Sequence, residues 1–172
     1  MKDLLVEANV PTAKHGTFTN EDEAIAFLSD MPLPYVIKTD GLAAGKGVIV
    51  TESVNEAKDA IKNYLSGDAF GDAGKTVVIE EGLIGNEISI LAICDGTKAV
   101  PLAPAQDYKR LLNDDEGPNT GGMGAYSPIP SVSEDFVTQI MEEAVQPTLQ
   151  TLITRGIDYR GVLYAGIMLS LI

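Results

Sequence analysis

The 172-residue chain is 45% hydrophobic and carries 25 acidic against 12 basic side chains, a formal charge of -13 at pH 7. Such a surface repels polyanions and argues against a nucleic-acid groove or an anionic membrane face, while the apolar fraction suffices for one ordinary domain or two small lobes. No run of about 18 apolar residues appears, and the opening Met1-Lys2-Asp3-Leu4-Leu5-Val6-Glu7 turns acidic before a signal-peptide core could form, so the expected location is the cytoplasm.

In chain order, residues 2 to 8 form a short helix stopped by Asn9 and Pro11, since proline disfavours helical geometry in the residue before it. His15, the only histidine, reads as a surface turn residue. Thr19 caps a second helix with Ala24, Phe27 and Leu28 on its apolar side. Strand-like runs follow at Tyr35 to Lys38 and Gly47 to Thr51. Ser53 and Glu56 form a capping box for a third helix, whose Ala57, Ala60, Ile61, Tyr64 and Leu65 recur at helical spacing before Gly67. Further strands are expected at Thr76 to Glu80, Glu87 to Cys94 and Lys98 to Leu102. Cys94, the only cysteine, reads as a buried structural thiol, and its solitude excludes an intrachain disulfide and a thiolate metal cluster.

Residues 117 to 128 read as a long glycine-rich loop. A second box, Ser131 with Glu134, opens the longest helix, with Val137, Ile140, Met141, Ala144, Val145, Leu149 and Leu152 on one stripe and a kink expected at Pro147. The last strand is Gly161 to Leu169. Strands that follow one another with short connections favour antiparallel pairing, so the expected fold class is α+β. A boundary near Gly82 to Gly85 gives two lobes, residues 1–84 with the leading helix and residues 85–172.

Three constellations could carry chemistry. Lys38-Thr39-Asp40-Gly41-Leu42-Ala43-Ala44-Gly45-Lys46-Gly47 has a spacing that refuses a Walker A loop: three residues separate Gly41 from Gly45, Gly47 follows Lys46, and the β-branched Val48-Ile49-Val50 takes the place of a helix. A glycine loop joining two strands remains, with two lysines suited to phosphate oxyanions; a solvated hairpin is the other reading. Val77-Val78-Ile79-Glu80-Glu81-Gly82-Leu83 is a strand running into a bend, where backbone groups could meet a purine and Glu87 a ribose diol; exposed acids at a strand end would look the same. Gln106-Asp107-Tyr108-Lys109-Arg110 and Gly117-Pro118-Asn119-Thr120-Gly121-Gly122-Met123-Gly124-Ala125-Tyr126-Ser127-Pro128 could hold a second, polar and anionic substrate, or form a mobile surface loop.

These segments, with Phe70-Gly71-Asp72-Ala73-Gly74, resemble the phosphoribosylamine-glycine ligases, the glycinamide ribonucleotide synthetases of the ATP-grasp superfamily, in order over the whole chain. The lysine-glycine motif is shared loosely across the superfamily; the Gly117 to Pro128 sequence is far more particular to this ligase. The resemblance implies ATP gripped between a small α+β lobe and a larger lobe with an antiparallel sheet. It implies Lys38 on the phosphates, the Ala43 to Gly47 loop with Lys46 as a lid, Glu80, Glu81 and Leu83 at the adenine and Glu87 at the ribose. Asp107, Lys109, Arg110, Asn119, Thr120, Gly121, Gly122, Met123 and Gly124 would face the acceptor. Lys38 and Lys46 are the implied catalytic residues.

The implied reaction is ATP-dependent joining of glycine to 5-phosphoribosylamine in purine biosynthesis, with magnesium or manganese. The family's metal ligands lie in a Glu-Phe-Asn segment expected beyond Ile172, and its leading domain ahead of Met1, so no metal ligand is assigned here. The larger lobe is expected to be incomplete and the chain alone inactive as a ligase. Another ATP-grasp carboxylate-amine ligase or carboxylase would share the lysine loop but not the Gly117 to Pro128 sequence. A non-catalytic nucleotide-binding module, or a purely structural α+β domain, completes the alternatives.

Overall fold

A computed structural model describes residues 1–41, 47–67 and 74–169, without the side chains of Asp115 and Asn119. The chain forms two compact units, residues 13–83 and residues 1–12 together with 84–172.

In the smaller unit, strands β1 (His15–Phe18), β2 (Tyr35–Thr39), β3 (Val48–Thr51) and β4 (Val77–Glu81) form an antiparallel sheet in the order β1-β4-β2-β3. Alternation along the strands sends Tyr35, Ile37, Val77 and Ile79 to one face, where they bury against Ala24 and Leu28 near helix α2 (Glu21–Phe27) and Ala57 and Ile61 of helix α3 (Val54–Leu65). Each fully buried aliphatic side chain in this layer contributes about 1.5–3 kcal/mol. Ser53 caps α3 by accepting from the Glu56 N–H at 3.3 Å. The return half of the box runs through Thr51, whose Oγ1 accepts from the Ser53 N–H and donates to Glu56 Oε2.

Two expectations change here. His15 lies in β1, opposite Glu80, not in a turn. The cap of α2 is Asn20, one residue after Thr19, because its carboxamide oxygen reaches the Glu23 N–H at 3.1 Å.

In the larger unit, β5 (Asn86–Asp95) lies between β6 (Ala99–Pro101) and β9 (Arg160–Leu169), all antiparallel. Ile88, Ile90, Ala92 and Cys94 alternate onto the buried face against Ile140, Met141, Val145 and Leu149. Helix α4 (Glu134–Ile140), one π turn (Met141–Val145) and helix α5 (Gln146–Thr154) make up the long helical segment. Pro147 has no N–H to return to residue 143, and the π turn ends two residues before it, at Val145. Ser133, not Ser131, caps α4, accepting from the Phe136 N–H at 3.2 Å.

Helix α1 (Lys2–Glu7) packs in this unit through a Glu7–Arg155 ion pair, and not with the smaller lobe to which the sequence reading assigned it. No helix among the described residues is long and apolar enough to cross a membrane.

The β5–β6 turn carries a pH signature. The backbone N–H groups of Lys98 and Thr97 and the Thr97 hydroxyl all donate to Asp95, pushing its carboxyl down to about 2. A folded-state value below the unfolded one means that the contribution is full above about pH 4 and is lost as pH falls through about 2. Asp95→Asn should therefore melt below the unsubstituted protein at pH 7, with the two midpoints converging by about pH 2. A gap that stays constant with pH in thermal melts would sink this assignment.

After β6 the chain continues along β5. The Leu102 N–H donates to the Leu91 carbonyl at 2.8 Å, and Ser89 and Ala105 exchange both backbone bonds at 2.7 and 3.0 Å. It then turns into a two-stranded ribbon of β7 (Gln106–Leu112) and β8 (Glu116–Tyr126). Residues 117 to 126, read from the sequence as loop, are thus strand. Their glycines mark a broken register within a ladder, not the absence of one.

Candidate functional site

In the smaller unit, Lys38 pairs across the ladder with Val78 and Glu80 with Val36, so both side chains stand on the face opposite the helices. Lys38 Nζ lies 3.0 Å from Glu80 Oε2. Glu80 is buried, at 6% exposure, while the Lys38 side chain keeps 36%. The pair therefore presents a partly open ammonium over a buried carboxylate, an arrangement able to receive an anion at the lysine's free side. Gly47 closes the β2–β3 hairpin by accepting from the Thr39 N–H at 2.9 Å. Ala43, Ala44, Gly45 and Lys46 lie outside the described residues.

The expected purine edge is narrower than the sequence suggested. β4 is flanked by β1 and β2, so the backbone at Glu80 and Glu81 is committed to the sheet. The Glu81 N–H donates to the Lys14 carbonyl at 3.0 Å, and the Glu81 carboxylate accepts from the Lys14 N–H at 2.7 Å. Gly82 donates to the Pro34 carbonyl at 2.7 Å, and a Cβ there would meet the Pro34 ring at 2.5 Å, which requires glycine. Leu83 is the first residue past this network, with its side chain half exposed.

In the larger unit, the face of β5 turned away from the helices bears Glu87 and Ser89. Lys109 of β7 reaches Glu87 Oε1 at 2.7 Å and Asp107 Oδ1 at 3.7 Å, and Ser89 Oγ donates to the Tyr164 hydroxyl at 3.3 Å. Burial works against the Lys109 ammonium, but its hydrogen bond to Glu87 and the charges of Glu87 and Asp107 outweigh it and raise the lysine above its ordinary value. One cluster thus joins Glu87, expected at a ribose, to Asp107 and Lys109, expected at an acceptor.

The ribbon supplies the remaining expected residues. Arg110 Nη1 donates to the Gly117 carbonyl at 2.9 Å, bracing the hairpin. Asn119 stands opposite Arg110 in the ladder, with its side chain outside the described residues. Thr120 donates to the Lys109 carbonyl at 2.9 Å, and its oxygen accepts from the Gly122 N–H at 3.0 Å. Gly121, Gly122 and Gly124 have open space where a side chain would begin, and Met123 is exposed. Sequence reasoning passed over Ser89, Tyr164 and the Tyr108–Tyr126 ring pair. The period of two along β5 could have found Ser89, since it puts Glu87 and Ser89 on the face opposite Ile88 and Ile90.

Among the described residues, no three His, Cys, Asp or Glu side chains converge as a metal site. Glu80 and Glu87 each already face a lysine, so the donors present do not fit a divalent cation.

The sequence profile of the phosphoribosylglycinamide synthetase ATP-grasp (A) domain matches residues 1–171. The chain belongs to that family. Within it, a phosphoribosylamine-glycine ligase of Xanthomonas campestris pathovar campestris is 51% identical over 169 residues, 98% of this chain and 39% of the relative. That of Vibrio parahaemolyticus is 49% identical with the same coverage. The crystal structure of the Thermotoga maritima phosphoribosylamine-glycine ligase superposes with a TM-score of 0.90 at 37% identity, over 98% of this chain and 43% of that one. A biotin carboxylase from Campylobacter jejuni, at 17% identity, 98% coverage of this chain and 36% of its own, shares the ATP-grasp fold with a TM-score of 0.74. The fold is therefore ATP-grasp, α+β with antiparallel sheets. The chain spans about two fifths of the length of the curated relatives it matches.

Proposed function

We propose that the protein carrying this chain joins glycine to 5-phosphoribosylamine at the expense of ATP, with a glycyl phosphate intermediate, and that it does so in purine biosynthesis. The observation that carries the reading is the β7–β8 ribbon, where Gly121 and Gly124 meet no steric need within the fold and leave space for a ligand to approach backbone. Sequence identity near 50% to ligases of this name supports the choice of substrates.

The chemistry follows from the carboxylate's poor leaving group. A glycine carboxylate oxygen attacks the γ-phosphorus of ATP, the bond to ADP breaks, and the acyl carbon gains phosphate as its leaving group. The phosphoribosylamine nitrogen then attacks that carbon, phosphate departs, and the amine gives up a proton. Lys38 and Lys46 would neutralise the charge moving onto the phosphates. The backbone past Gly82, at Leu83, would meet the adenine, with Glu80 and Glu81 shaping its surroundings, and Glu87 would accept the ribose hydroxyls. Asp107, Arg110 and Thr120 to Gly124 would orient the acceptor. A divalent cation, magnesium or manganese, accompanies ATP in such reactions by shielding its phosphates. The cytoplasm, where these small molecules occur, is the proposed location.

Phosphate release from ATP by the full reading frame that encodes this chain, with glycine and phosphoribosylamine supplied separately and together, tests the assignment. Release that requires both is the expected result. Release with another acid or amine, or none with this pair, would mean different substrates.

A further inference from the structure

We infer that Lys109 is a positioning residue that couples nucleotide binding to acceptor binding. The inference rests on reading Glu87 as the ribose carboxylate and the glycine-rich part of β8 as an acceptor surface. Lys109 sits where the ribbon's register breaks: Tyr108 pairs with Gly124 and Arg110 with Asn119, so Thr120 to Met123 stand opposite this single residue. Its two ends are tied to different parts of the unit. The ammonium bonds Glu87 of β5 at 2.7 Å, while the carbonyl accepts the Thr120 hydroxyl at 2.9 Å, and Thr120 in turn holds the Gly122 N–H at 3.0 Å.

The ion pair is too open to matter much for stability, because both side chains keep about 40% exposure and water competes for each. What it fixes is position. Ribose hydroxyls that donate to Glu87 must share the carboxylate lone pairs with the Lys109 ammonium or displace it. Asp107 Oδ1, at 3.7 Å, is the second acceptor towards which a displaced ammonium can turn.

Any shift of Lys109 passes through one residue to the carbonyl that anchors Thr120. The segment beyond can respond, since Gly122 holds φ +118 and neither Gly121 nor Gly122 is crowded. Equilibrium linkage then requires the acceptor side to alter nucleotide affinity by the same factor that the nucleotide alters acceptor affinity.

The test uses the full reading frame and the dissociation constant of a non-hydrolysable ATP analogue, measured calorimetrically without and with saturating glycinamide ribonucleotide. The unsubstituted protein should show a difference of about fivefold or more. Lys109→Met and Thr120→Val, which cut opposite ends of the link, should each bring that factor close to one, and Lys109→Arg should restore it. Retention of the full factor in Thr120→Val, or in a folded Lys109→Met, would overturn the coupling, as would its absence from the unsubstituted protein. Glu87→Gln tests the nucleotide site apart from the coupling. Unchanged analogue affinity in that variant would remove Glu87 from the nucleotide site and the inference with it; weakened affinity beside intact coupling in Thr120→Val would remove the inference alone.

Discussion

Lys38→Met is expected to cut ATP-dependent phosphate release by the full reading frame by about a hundredfold or more, the usual scale when a charge aimed at a transferring phosphoryl group is removed. The substitution also has a structural effect that must be separated from the catalytic one. Glu80 is buried and bonded to Lys38 at 3.0 Å, so the variant strips a cation from a carboxylate that water reaches poorly. Breaking a fully buried pair costs about 3–5 kcal/mol; the lysine's partial exposure reduces that to about 1–3 kcal/mol here.

The double substitution Lys38→Met with Glu80→Gln resolves the two roles. A neutral amide no longer needs the ammonium, so thermal stability should return while phosphate release stays low. Recovery of phosphate release together with stability would instead mean that Lys38 serves only to neutralise Glu80. Both quantities can be read on the same preparations, by thermal melting and by the phosphate assay.

The fold was legible in the sequence wherever local chemistry determines local structure. Ser53 and Glu56 located α3, and the strand-like run Glu87 to Cys94 located β5 to within one residue at each end. The sequence misled where tertiary pairing overrides local signals. Gly117, Gly121, Gly122 and Gly124 read as loop because glycine weakens strands, yet the ladder to β7 forms around them with two register shifts. β1 was missed because His15–Phe18 is only four residues long and is held by β4, about 60 residues further along the chain. The π turn at Met141–Val145 went unread, because which residues take the wider turn depends on packing that no local pattern encodes.

The site divides in the same way. Residue types and motif order gave the candidate lysines, carboxylates and glycines. Which of them touch depended on the approach of strands. Lys109 and Glu87 meet only because the chain after β6 stays beside β5 as far as Ala105 before turning into β7. Glu81, grouped with Glu80 by sequence, is instead turned to the Lys14 backbone.

The glycines of β8 provide the sharpest separation of folding from function. Gly122 holds φ +118, so Gly122→Ala should lower stability by about 1 kcal/mol or more through backbone strain, whatever binds there. Gly121 and Gly124 have no such backbone and nothing within 4 Å of a built Cβ. Alanine at either should leave the melting midpoint unchanged or slightly raised, because it restricts the unfolded chain at no cost to the folded one. If acceptor atoms approach the backbone there, the same methyl group occupies their space, and the Michaelis constant for phosphoribosylamine should rise about tenfold or more, the equivalent of about 1.4 kcal/mol. A stable Gly121→Ala or Gly124→Ala protein with unaltered acceptor kinetics would leave those glycines without a ligand and move the acceptor site off this part of β8. Loss of stability in either would instead mean that the ribbon uses that space itself. Stability retained and acceptor affinity lost is the one combination that a purely structural ribbon cannot produce.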